Sequence, residues 1–183
     1  ISSDCVKLAS ATTNSQHATI DVHGYFDDSV YHYYDWHVEY HTDSNNKELR
    51  GNFLTSSSAE LSGPYYMTMH SAYASSGSGG QQDRRQWNQS LPLSDFEGTW
   101  SKNHSGGATE LDVIQIRVYK PQSTTYGKYM DYNWCFFQSG GNLVKGNACM
   151  FANTATATTG MRLKRTATGY FDHSKWTLYG YKL

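Results

Sequence analysis

Residues 33–41 alternate with period two: Tyr34, Trp36, Val38 and Tyr40 fall on one side, Asp35, His37, Glu39 and His41 on the other. Successive side chains of a strand point to opposite faces, so this pattern commits the segment to a half-buried sheet position. The signature recurs. Ile20 and Val22 alternate with Thr19, Asp21 and His23, and Ile114, Ile116 and Val118 alternate with Gln115 and Arg117. Shorter runs at 49–54, 65–70, 161–165 and 176–183 also carry strand-forming residues. Residues 130–138 are aromatic on both sides, which predicts a strand buried on both faces. No window shows helical periodicity.

Turn signals separate these runs: Ser62, Gly63 and Pro64, Lys120 and Pro121, and Ser-Gly-Gly at 105–107 and 139–141. The longest irregular stretch, 71–90, holds Ser-Ser-Gly-Ser-Gly-Gly and then Gln-Gln-Asp-Arg-Arg. It reads as a long loop, and loops of that length inside a domain are commonly functional. Eight or so strands, with no internal repeat and no composition boundary, predict one all-β domain over residues 1–183. The expected architecture is an antiparallel β-sandwich or jelly roll with long variable loops.

Aliphatic residues are too few to fill such a core alone: 11 Leu, 4 Ile and 7 Val stand beside 15 Tyr, 7 Phe and 5 Trp in 183 residues. Each aromatic buries about 150–250 Å², so a core of polar-tipped rings in a Ser, Thr, Gly and Asn background is expected. The formal net charge of −1 lacks the basic footprint of a nucleic-acid binder. No apolar run reaches the roughly 18 residues of a membrane-spanning helix, so membrane insertion is not expected either. The chain starts at Ile1, without Met or a signal pattern, and reads as a processed chain or part of a longer one. Three cysteines fit no disulfide framework. Cys135 and Cys149 either face each other across a hairpin or sit as buried reduced thiols, the reading favoured here.

His37, Glu39 and His41 lie at i, i+2 and i+4 on one face, roughly 7 Å apart. Two imidazoles and a carboxylate make a zinc or iron ligand set; the plainer reading is a solvated outer face. No cofactor is expected. Lys47-Glu48-Leu49-Arg50 and Gln115-Ile116-Arg117 are similar to strand motifs of alginate lyases on a jelly roll. Arg117 stands where that family has its catalytic histidine, and no Tyr-Phe-Lys-Ala-Gly segment follows, so no acid–base pair is assembled. Neither a Gly-x-Ser-x-Gly elbow nor a phosphate-cradling glycine loop occurs. Asn88 and Asn103 open Asn-x-Ser triplets, which matter only in a secretory pathway.

The remaining candidates are aromatic. Tyr65, Tyr66, Tyr73, Trp87 and Trp100 fall in or beside predicted loops. Exposed rings there would stack on sugars, with polar neighbours for the hydroxyls. Arg84 and Arg85 beside Trp87 fit a protein contact instead. The plainer alternative is that Trp87 and Trp100 plug the ends of the sandwich.

Six segments then occur in a telling order: Ile1-Ser2-Ser3; Ala18-Thr19-Ile20-Asp21-Val22; Gly24-Tyr25-Phe26-Asp27-Asp28-Ser29-Val30-Tyr31; Tyr119-Lys120-Pro121-Gln122-Ser123-Thr124-Thr125-Tyr126; Thr156-Ala157-Thr158-Thr159-Gly160-Met161-Arg162; and Lys175-Trp176-Thr177-Leu178-Tyr179-Gly180-Tyr181-Lys182. In this order the chain resembles a domain recurring in structural proteins of tailed bacteriophages, particularly marine phages and cyanophages. Residues 54–104 match nothing in that pattern. The resemblance implies a non-enzymatic component of the virion, seen in tail fibres, tail tips or capsid-surface fittings. A tail-fibre or receptor-binding head contacting host surface glycan is expected, assembled with other virion proteins as a homo-oligomer, a trimer by analogy. The alternative is a capsid decoration protein bound to the major capsid protein; a polysaccharide lyase or depolymerase stands third.

Overall fold

The computed structural model describes residues 4–42, 49–61, 65–74, 79–88, 111–138, 142–165 and 170–182. Within them lie the strands β1 (Cys5–Thr13), β2 (Thr19–His23), β3 (Tyr33–Thr42), β4 (Leu49–Leu54), β5 (Tyr65–Ala74), β6 (Gly79–Asn88), β7 (Asp112–Tyr119), β8 (Lys128–Gln138), β9 (Asn142–Ala152), β10 (Gly160–Arg165) and β11 (Phe171–Tyr181). Eight form one sheet in the order β1-β11-β3-β7-β8-β9-β5-β6, and three form a second, β2-β10-β4. Every pairing among them is antiparallel. The two sheets pack together as a β-sandwich.

The alternation at 33–41 is realised in β3: Tyr34, Trp36, Val38 and Tyr40 are buried, with Tyr34 and Trp36 wholly inaccessible. They join Ile114, Ile116 and Val118 of β7 and Met130 and Tyr132 of β8. Ile20, Val22, Phe53, Met161 and Leu163 from the small sheet close the same core. Tyr34, Tyr65 and Tyr132 find partners for their polar tips, as burial requires. Asp27 donates its backbone N–H to Tyr34 Oη (2.6 Å), Tyr65 Oη donates to the Leu61 carbonyl (2.9 Å), and Tyr132 Oη to Met67 Sδ (2.8 Å). Phe26 and Tyr31 pack their rings 4.6 and 5.8 Å from Tyr34.

Small residues set the closest approaches. A Cβ on Gly160 would lie 2.2 Å from the Val22 carbonyl oxygen, so glycine lets β10 close against β2. Gly146 of β9 gives its place to the Trp134 ring in the same way.

At one pole the 120–126 turn is tied to two other loops. Thr158 donates from its backbone N–H and its hydroxyl to the Pro121 carbonyl (3.0 and 2.7 Å), and Gln122 N–H donates to Asp28 (2.8 Å). Lys128, fully buried, sends its ammonium to the carbonyls of Ser123, Tyr126 and Thr154 at 2.6, 3.3 and 3.1 Å.

Three expectations are corrected. Much of stretch 71–90 is a β-hairpin, the end of β5 and all of β6, paired from Tyr65–Asn88 to Ala74–Gly79. Its polar residues take strand form because β5 offers them a ladder. β8 is buried on one face only: on the other, Tyr129 is 50% exposed and Asn133 is exposed. Cys135 and Cys149 form no disulfide and are not fully buried: Cys135, partly buried, pairs in register with Lys145, and Cys149, opposite Asp131, is exposed.

Candidate functional site

The large sheet's inward face is spent on the core, so its chemistry lies on the outward one. Register assembles that face into rows. Tyr181 of β11 stands opposite Tyr33 of β3, Tyr33 opposite Tyr119 of β7, and Tyr119 opposite Tyr129 of β8. Tyr129 stands opposite Phe151 of β9, and Phe151 opposite Tyr66 of β5. Six aromatics thus cross six adjacent strands, a run of about 24 Å at the usual inter-strand spacing. The rings of Tyr33 and Tyr181 stack at 4.4 Å, those of Tyr129 and Phe151 lie 4.7 Å apart, and Tyr66 and Phe151 are 6.2 Å apart. Cross-strand aromatic pairs stabilise a sheet by about 0.2–1 kcal/mol each. They also leave hydroxyl-tipped rings facing solvent.

The next row is ionic. Asp35, nearly inaccessible, holds Arg117 through two hydrogen bonds of 2.7 Å. This pairing raises the guanidinium's pKa further, and Arg117 also lies 4.6 Å over the Tyr33 ring. Cys149 belongs to this row; partial burial of the sulfur and the Asp131 carboxylate beside it push the thiol up to about 11, so it stays protonated at neutral pH. A third row carries amides and imidazoles: Thr177, His37, Gln115, Asn133, Asn147 and His70. A fourth runs Lys175, Glu39, Val113, Cys135 and Lys145. Between the third and fourth rows a depression of about 340 Å³ opens, lined by His37, Glu39, Gln115, Asn133, Lys145 and Lys175 among others. Ligand sites commonly fall between about 300 and 1,000 Å³.

His37, Glu39 and His41 do share this face, but each turns to a different neighbour. The His37 ring meets Tyr179 edge-on at 5.5 Å, Glu39 lies 3.9 Å from Lys175, and His41 is 3.6 Å from Asp172. Among the described residues no trio of His, Cys, Asp or Glu is placed to hold a metal. Of the predicted aromatic contacts, Tyr66 is on the outward face. Tyr65 is a core residue, 2% exposed with its hydroxyl spent on Leu61, and is corrected as a ligand contact. The backbones of Tyr73, Arg84, Arg85 and Trp87 run in β5 and β6 rather than in a loop, with Trp87 opposite Tyr66 in register. The side chains of those four residues, and the whole of Trp100, lie outside the described residues. Sequence reading missed Tyr33, Tyr119, Tyr129, Phe151 and Tyr181 as a group, since only the pairing of distant strands aligns them.

Compared with known protein families, characterised proteins and solved structures, the chain finds no match.

Proposed function

We propose that this chain is a structural, non-catalytic β-sandwich of a bacteriophage particle, a tail-fibre or receptor-binding head that contacts host surface glycan through the outward face of its large sheet. The observation that carries the glycan contact is the aromatic row from Tyr181 to Tyr66, bordered by the ionic and amide rows. Rings supply apolar area to sugar C–H faces, and Gln115, Asn133 and His37 supply directional partners for hydroxyls. The virion assignment rests on the segment order described above and on an aromatic-rich, weakly charged composition suited to repeated assembly.

The test is binding of the purified chain to polysaccharide from host cell envelopes, together with its localisation on the particle by labelled microscopy. Specific binding, weakened about fivefold by Tyr129→Ala as one ring's contribution of about 1 kcal/mol is lost, and label on the tail are expected. No binding would overturn the glycan contact, label on the capsid shell would replace the tail reading with the decoration one, and shortened polymer after incubation would overturn the non-catalytic one.

A further inference from the structure

Charges on the outward face are matched unevenly. Arg117 is held by Asp35, and Lys175 lies 3.9 Å from Glu39. Lys145 is different. Opposite it in register stand Cys135 and Ala72, two residues along its own strand stand Leu143 and Asn147, and the diagonal positions hold Asn133, Phe137, His70 and Ala74. None is a carboxylate. Lys145 nevertheless lines the depression, with Asn133 diagonal to it on β8 and Gln115 one strand further across the same lining.

An exposed ammonium at the edge of a depression, with no carboxylate at those eight positions and an amide on the adjacent strand, is the chemistry that receives a carboxylate. Hydrogen bonds between ionised partners are about twice as strong as neutral ones. On the opposite bank Lys175 lies 3.9 Å from Glu39, so the charge there is balanced, and the Glu39 carboxylate, its side chain 47% exposed, accepts hydroxyls. Lys145 and Lys175 sit four strands apart, about 19 Å between their backbones, so a ligand touching both banks is a chain rather than one sugar.

We propose that this depression is the subsite for a carboxylate-bearing sugar, a hexuronate or sialate unit, within a glycan lying across the strands, its acid group at Lys145 and its hydroxyls toward Glu39. The inference rests on the glycan reading and narrows it to acidic polysaccharide. It is tested on a printed panel of hexuronate- and sialate-bearing oligosaccharides, each beside its carboxyl-reduced counterpart. The unaltered chain should prefer the carboxylated member by about tenfold. Lys145→Ala should lose that preference while still binding the reduced member, and Lys145→Arg should keep it; matching circular dichroism spectra establish that the variants fold. Equal binding to both members, or a preference untouched in Lys145→Ala, overturns the subsite and leaves glycan binding in place. Binding to no member overturns both.

Discussion

Lys128 shows what one side chain does for two loops. Its ammonium lies among carbonyls from the turn before β8 and the loop after β9, at a position with no solvent access. Burial lowers its pKa, yet the carbonyls satisfy the donors in either protonation state. Lys128→Met keeps the stem and removes the donors; partly buried acceptors left unpaired cost toward the lower end of about 1–3 kcal/mol each. The substitution should therefore destabilise the chain by at least about 2 kcal/mol in urea denaturation, with the slope unchanged. Glu60 supplies a pH dependence. Burial pushes its pKa up, but hydrogen bonds from Lys164 and Asn52 and the charges of Lys164 and Arg162 outweigh it, so the net shift is downward. A carboxyl lowered on folding stabilises above its unfolded pKa and loses that contribution as pH falls through the folded value. Glu60→Gln should lower the melting temperature most in the neutral region and flatten the acid side of the profile, the two curves converging as pH falls well below about 4.5.

At the scale of elements, strands rich in large apolar residues were legible, and those built from glycine, amides and small residues were not. β2 and β4 follow the sequence reading residue for residue, and β3 departs by one; Ile20, Val22, Tyr34, Trp36 and Val38 print the burial of β2 and β3 as alternation, while β4, buried at all positions but Arg50, shows through Leu49, Phe53 and Leu54. β6 carries Gly79, Gly80, Gln81, Gln82, Asp83 and Arg84, which print nothing; its strand form comes from pairing with β5. β9 was hidden because its inward positions include Gly146 and Ala148, small enough to admit Trp134 but too small to signal a core. The aromatic row was out of reach for a different reason. Its members are scattered from 33 to 181, and only five correct registers bring them side by side. The small sheet depends on register as tightly, through Gly160. Gly160→Ala would set a methyl against the Val22 carbonyl, a backbone atom that cannot swing away. A loss of about 2 kcal/mol is expected, within the usual range for single substitutions. Hydrogen exchange should then speed first in β2 and β10; unchanged exchange there would show that the strands absorb the methyl.

For the whole molecule, the outward face and the core share one set of strands: any residue that positions a ring on one side positions its neighbour in the packed interior on the other. The arrangement of the outermost pair has a mechanical consequence. β1 is an edge strand antiparallel to β11, Cys5 pairs with Tyr181, and Lys182 N–H donates to the Asp4 carbonyl at 2.8 Å. Tension applied through Asp4 and Lys182 therefore meets the ladder at one end and peels it pair by pair, each bond bearing the load alone. Handles at Asp4 and Tyr170 would instead pull the same strands lengthwise and strain all their bonds at once. In optical tweezers the first geometry should open at a clearly lower force than the second, and equal forces would show that resistance lies elsewhere. A load carried through both strands finds its seam there, at the edge of the large sheet.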